Sequence, residues 1–115
     1  MIRGGLVTLF VSDVDVAVRF YIETLGMKLV HAEDGFSVID AGDGFSIGLH
    51  RRGKRDPKRG AAAPKVGLYP KLPIREAMAI LENRGVTFEV IEDDKLVIAD
   101  FHDPDDNVLY LRQSK

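Results

Sequence analysis

The sequence predicts an α+β fold made of two tandem βαβββ modules, and three observations carry that prediction. A strand pattern, a helix pattern and a closing glycine occur twice at one offset, since Lys65 follows Leu6 by the same interval at which Gly85 follows Gly26. Each copy then continues into three short segments bounded by turn sequences such as Asp34-Gly35 and Gly42-Asp43-Gly44. The aliphatic strand residues also fall on one parity, as a sheet covered by helices on one face requires. At 115 residues the chain has the size of one ordinary domain. By size scaling it buries roughly 65% of its surface on folding, enough for a core without staples. The expectation is a single domain over 1–115, with modules at about 1–51 and 65–115, a basic linker at 52–64, and a curved mixed sheet.

The elements follow in order. Residues 6–12 alternate, with Val7, Leu9 and Val11 on one face and Leu6, Thr8 and Phe10 on the other. Asp13 is placed to cap a helix in which Val14, Ala17, Val18, Tyr21 and Leu25 recur at helical spacing, and Gly26 supplies the left-handed stop. Strands are expected at 28–33, 36–40 and 45–51. In the second copy the strand begins at Lys65, with Val66 and Leu68 facing one way and Lys65, Gly67 and Tyr69 the other. Pro73 suits a first helical position, Ile74, Ala77, Met78 and Leu81 form the apolar stripe, and Gly85 ends the helix. Strands at 87–92, 96–101 and 108–112 complete the module, the last two joined by a hairpin over 102–107.

Composition narrows the function classes. The net charge of −2 argues against nucleic acid as a partner, and no segment approaches the roughly 20 apolar residues that span a bilayer. With no cysteine there is no disulfide and no thiol nucleophile. Asp13 and Asp15 interrupt the apolar start before a signal-peptide core forms, so a cytoplasmic location is expected. From Arg51 to Lys65, however, seven basic residues face Asp56 alone. This basic strap reads as a solvated linker or as a segment that shields or recruits an anionic ligand.

The helices need an aliphatic floor. That assigns Val7, Leu9, Val11, Ile47, Leu49, Val66, Leu68, Leu109 and Leu111 to the covered faces. The opposite faces, with Thr8, Phe10, His50, Lys65, Tyr110 and Arg112 among them, are expected to form a shared concave surface. Their mixture of small, aromatic, polar and cationic groups suits a small-molecule site.

Leu9-Phe10-Val11-Ser12-Asp13 running into Phe20-Tyr21 and Leu25-Gly26-Met27, with a late Asp103-Pro104-Asp105 turn running into Val108-Leu109-Tyr110-Leu111, resembles the vicinal oxygen chelate superfamily. This is the group of glyoxalase I, bleomycin-resistance proteins and extradiol dioxygenases. The resemblance covers nearly the whole chain and implies the glyoxalase/bleomycin-resistance fold, a fold that hosts isomerases, ring-cleaving oxygenases, thiol transferases and sequestering proteins. Metal-using members usually carry His on the first strand of each half and Glu on the last. Matching strand by strand places Leu6, Gly48, Lys65 and Tyr110 at those positions. Leu6 and Gly48 have no donor, Lys65 brings a positive charge, and a phenol is a poor ligand while protonated, so no metal and no cofactor is expected.

Thr8, Phe10, His50, Lys65, Tyr69, Tyr110 and Arg112 are the candidate ligand-binding residues. Aromatic faces would stack on a planar group, and Lys65 and Arg112 would neutralise a carboxylate or phosphate. The competing reading is an aromatic patch filling the sheet floor, or a dimer seam. His50 is the candidate general base or polar ligand contact, against an ordinary strand histidine beside Arg51 and Arg52. His31 has no carboxylate partner in view and reads as structural, and His102 begins the hairpin turn. Asp103, Asp105 and Asn107 alternate like a calcium loop but lack its glycine and closing glutamate, so they read as a turn.

The reading is therefore a homodimeric, metal-independent protein that binds a small organic molecule, as sequestering members of the resembled superfamily do. The alternatives are a metal-dependent or metal-free lyase, isomerase or dioxygenase of that superfamily, and an interaction module whose face is occupied by a partner chain.

Overall fold

In the computed structural model the first alternating segment forms β1 (Val7–Val11), and Asp13 caps the helix after it, its Oδ1 accepting from the Val16 N–H at 3.2 Å. Residues 1–54 and 63–115 are described; 55–62, which include Arg55, Lys58 and Arg59 of the expected basic linker, lie outside the described residues. The chain divides into two units, Met1–Lys58 and Arg59–Lys115.

In the first unit, α1 (Val14–Arg19) passes into a π-helical turn, Phe20–Thr24, where the Leu25 N–H reaches the Phe20 carbonyl at 3.1 Å. The helical spacing does not announce this widening. It accompanies a fully buried Tyr21, and Gly26 follows at φ 77° as the left-handed stop. β2 (Lys28–Glu33), β3 (Phe36–Gly42) and β4 (Phe45–Arg51) complete a four-stranded sheet of order β1-β4-β3-β2, in which only the β1–β4 pair is parallel. α1 packs on β3 and β4. Leu9, Val11, Ile39, Ile47 and Leu49 are buried on its side.

The second unit repeats the plan with β5 (Val66–Leu68), α2 (Ile74–Asn83), β6 (Glu89–Glu92), β7 (Leu96–His102) and β8 (Val108–Ser114), in the order β5-β8-β7-β6 with β5 and β8 parallel. The described strands thus form two four-stranded mixed sheets. α2 packs on β8, and Val66, Met78, Leu81, Val97, Phe101, Leu109 and Leu111 are buried. No helix among the described residues is long and apolar enough to cross a membrane.

Several expectations are corrected. Pro73 is not the first helical residue but the one before it, its ψ of 137° being non-helical; its side chain cannot cap, and the Ile74 N–H donates instead to Gln113 Oε1 of β8 at 2.9 Å. β5 is only three residues long, so Lys65 precedes it and Tyr69 follows it. β6 begins at Glu89 rather than at residue 87, and β3, β7 and β8 run on to Gly42, His102 and Ser114. His102 is therefore the last residue of β7 and not the start of the turn.

That turn is organised by Asp103, which is buried. Its Oδ1 accepts from the backbone N–H groups of Asp105 and Asn107, each at 2.9 Å, and its Oδ2 from the Asn107 side-chain amide at 2.9 Å. Asp106 takes φ 63°, a left-handed geometry that a short polar side chain tolerates.

Candidate functional site

In the first unit the face away from α1 is organised by register. Phe10 of β1 pairs with His50 of β4, and His50 pairs with Phe36 of β3, so three rings lie in a row across the sheet. Ring centroids are 5.8 Å apart for Phe10 and His50, nearly edge to face, and 5.9 Å for Phe36 and His50. The His50 Nδ1 lies 2.7 Å from the Arg51 carbonyl oxygen. A carbonyl can only accept, so Nδ1 carries the proton in that bond and the neutral ring presents a lone pair at Nε2.

Thr8 is exposed on the same face, opposite Gly48. A Cβ at Gly48 would meet Leu6 Cδ1 at 2.9 Å, Phe36 Cε1 at 3.1 Å and Thr8 Oγ1 at 3.3 Å. The glycine thus makes room for side chains that cover it. Phe36 joins the predicted Phe10, His50 and Thr8, and sequence reasoning missed it. His31 sits on the outer strand with its Nε2 3.1 Å from Glu33 Oε1, which corrects the expectation that it lacks a carboxylate partner.

In the second unit the corresponding face mixes charged and apolar side chains, with Ile98 opposite both Ile91 and Arg112. Lys65 Nζ donates to Asp100 Oδ2 at 2.9 Å, an ion pair between the lead-in to β5 and β7 that sequence reasoning also missed. Asp100 Oδ1 is buried without a hydrogen-bond partner. The bond and the charge of Asp100 raise the Lys65 pKa above its ordinary value, so the ammonium is retained. Tyr110 pairs with both Gly67 and Asp100, and its ring lies over Gly67, where a Cβ would meet Cζ and Oη at 2.5 Å. Arg112 is half-buried opposite Ile98. Tyr69 is 81% exposed past the end of β5, apart from this row.

The Lys65 pair makes a sharp prediction. With Asp100→Asn, the Lys65 pKa should fall back toward its ordinary value, as read from the side-chain methylene and Nζ resonances by NMR. A folded-state pKa raised above the unfolded one contributes stability that is fully present below the unfolded value of 10.5 and is lost as pH rises through the folded value. The wild type should therefore lose this increment in the alkaline range while Asp100→Asn shows no such loss. An unchanged Lys65 titration in the variant would refute the assignment.

The profile described as the Glyoxalase/Bleomycin resistance protein/Dioxygenase superfamily matches residues 5–110. The chain belongs to this superfamily. Among solved structures it is similar to TnmS3, an antibiotic-binding protein from Streptomyces sp. CB03234, with 26% identity, TM-score 0.82, and coverage of 100% of this chain and 98% of that one. It is also similar to a glyoxalase/bleomycin resistance protein from the same Streptomyces strain, with 26% identity, TM-score 0.76, and 96% and 100% coverage. An integron cassette protein from the mobile metagenome of V. cholerae shares 27% identity, with TM-score 0.71 and 97% and 96% coverage. No curated protein matches the chain at a significant level.

Membership in the glyoxalase/bleomycin resistance superfamily raises the question of a divalent metal, and the residues at its usual positions do not fit one. Leu6 has no donor and lies against Gly48, which has none either. Lys65 is a cation held by Asp100, and Tyr110 offers a phenol lying over Gly67. Among the described residues no three His, Asp or Glu side chains gather at one point.

Proposed function

We propose that the protein binds a small organic molecule without a metal and acts by capture rather than by chelation. The observation that carries this reading is the way the usual chelating positions are used: each is closed by packing or by an ion pair, while the ring row Phe10–His50–Phe36 is left on the face away from the helix. The likeness to the antibiotic-binding protein TnmS3 supports it. Homodimerisation in the cytoplasm is part of the same proposal, supported by apolar side chains exposed on the outer strands, Val30 at 63% and Ile91 at 60%. Native mass spectrometry showing only monomer at micromolar concentration would remove the dimer.

The test is a panel of planar organic compounds screened by thermal shift on protein treated with chelator and on protein supplied with Zn²⁺, Mn²⁺ or Fe²⁺. A ligand present at a hundredfold its Kd should stabilise the fold by ~2.7 kcal/mol, and roughly equally in both preparations. Binding seen only with metal would overturn metal independence. A panel without a single stabilising compound would overturn the capture reading.

A second reading, metal-free proton transfer, has one observation in its favour: Nδ1 of His50 is tied to a carbonyl, which leaves Nε2 as a proton acceptor. It requires that a bound ligand bearing an acidic C–H exchange it in D2O, and that His50→Gln abolish the exchange. Exchange that persists in the variant, or none in the wild type, would remove this reading.

A further inference from the structure

The end of β4 holds chemistry that the ring row does not use. An open depression of about 620 Å³ lies between the Asp34–Gly35 turn and the chain leaving β4 over residues 51–53, with Phe36 and His50 in its wall. That volume is in the range of small-molecule sites. The ring row and the depression share Phe36 and His50, so a ligand lying on the rings reaches the depression without leaving the unit.

The charges in the wall are unequally committed. Glu33 holds His31 at 3.1 Å, and Asp34 faces Arg51 at 3.6 Å. The Arg51 guanidinium lies against Gly35, with Nη2 3.2 Å from where a Cβ would stand. Arg52 differs from its neighbour. It is half-buried, its Nε is buried with no hydrogen-bond partner, and no ion pair engages it among the described residues. A buried guanidinium N–H without an acceptor is unfavourable and is relieved by an incoming oxygen. The Arg52 backbone N–H donates to the Val11 carbonyl at 2.8 Å and fixes the root of the side chain. Turning the guanidinium toward the depression therefore breaks no hydrogen bond at Nε.

We propose that this depression is an acid-binding subsite whose ligand is a planar aromatic monoanion, a carboxylate or sulfonate. The inference rests on the binding reading above. The acid group meets Arg52 edge-on, accepting from Nε–H and from one terminal N–H in the bidentate manner that guanidinium favours. The ring lies along Phe36 and His50. Glu33 and Asp34 in the same wall disfavour a doubly charged phosphate, and they are the physical reason for assigning a single negative charge.

Three probes of matched shape test this: 1-naphthoate, its neutral amide 1-naphthamide, and 1-naphthyl phosphate, titrated calorimetrically with amide shifts followed by NMR. The expected result is naphthoate binding about tenfold or more tighter than naphthamide and no weaker than naphthyl phosphate, with shifts at Gly35, Phe36, His50 and Gly53. Arg52→Gln should bring naphthoate to the naphthamide level and leave naphthamide unchanged. Arg52→Lys, which keeps the charge without the fork, serves as the second variant and should recover only part of the difference. Equal affinity for acid and amide, an Arg52→Gln variant that binds naphthoate as the wild type does, tighter phosphate binding, or shifts confined to other strands would each overturn the subsite. Equal binding of acid and amide, both indifferent to Arg52, would overturn it while leaving small-molecule binding intact. If neither naphthoate nor naphthamide binds, the subsite falls, and the broader reading is judged by the compound panel.

Discussion

Asp103→Ala is expected to destabilise the protein by about 3 kcal/mol, because it removes a buried carboxylate that satisfies three donors and leaves the Asp105 and Asn107 backbone N–H groups without it. For a chain of this size the loss corresponds to a fall in Tm of roughly 12 °C. Asp103→Asn keeps one acceptor oxygen and should lose about half as much. Chemical denaturation with matched m values would measure both, and a loss below about 1 kcal/mol in the alanine variant would refute the account. The consequence extends to the candidate site. The turn sets β7 against β8 and so places Asp100 opposite Tyr110.

Much of the fold was legible because its signals are local. The bounds of β2 and β4 agree with the alternation and the turns that flank them. The Asp13 cap and the left-handed glycines at 26 and 85 follow from single-residue chemistry. The π-helical turn after Arg19 was not legible, since the apolar spacing around Tyr21, its buried residue, reads equally well as an α-helix. Pro73 misled for a different reason. A proline fits either side of a helix start, and the group that decides, Gln113, arrives from β8, 39 residues beyond Ile74.

The candidate site divides along the same line. Phe36 could have been found, because a hairpin centred on Asp43 sets it opposite His50 and so adds a third ring to the expected pair. Asp100 was half legible, since the hairpin centred on Asp105 sets it opposite Tyr110. Its bond to Lys65 was not, because that depends on the parallel register of β5 with β8, which no turn encodes. The result revises the role of Lys65. An ammonium already held by a carboxylate 2.9 Å away is less available to neutralise a ligand than a free lysine would be. Arg52, expected only as part of the basic strap, is instead a described cation without an acceptor at Nε.

Gly67→Ala is expected to change sign with the residue facing it. Gly67 is not in a positive-φ conformation, so alanine there should by itself stabilise the strand by about 0.5–1 kcal/mol through lost freedom of the unfolded chain. The Tyr110 ring prevents that, because its Cζ and Oη stand 2.5 Å from the new Cβ and its Cε2 2.8 Å away. The ring must leave the surface of β5, giving up part of its burial, and the net effect should be a destabilisation of about 1–2 kcal/mol. In a Tyr110→Ala background the same Gly67→Ala change should become stabilising. The two substitutions should thus couple by about 2 kcal/mol in a double-mutant cycle read by urea denaturation. Additive effects would show that the ring does not rest on Gly67. A coupling of the expected size would establish that one residue without a side chain lets Tyr110 cover the strand, where the resembled metal-using members would need a ligand pointing outward.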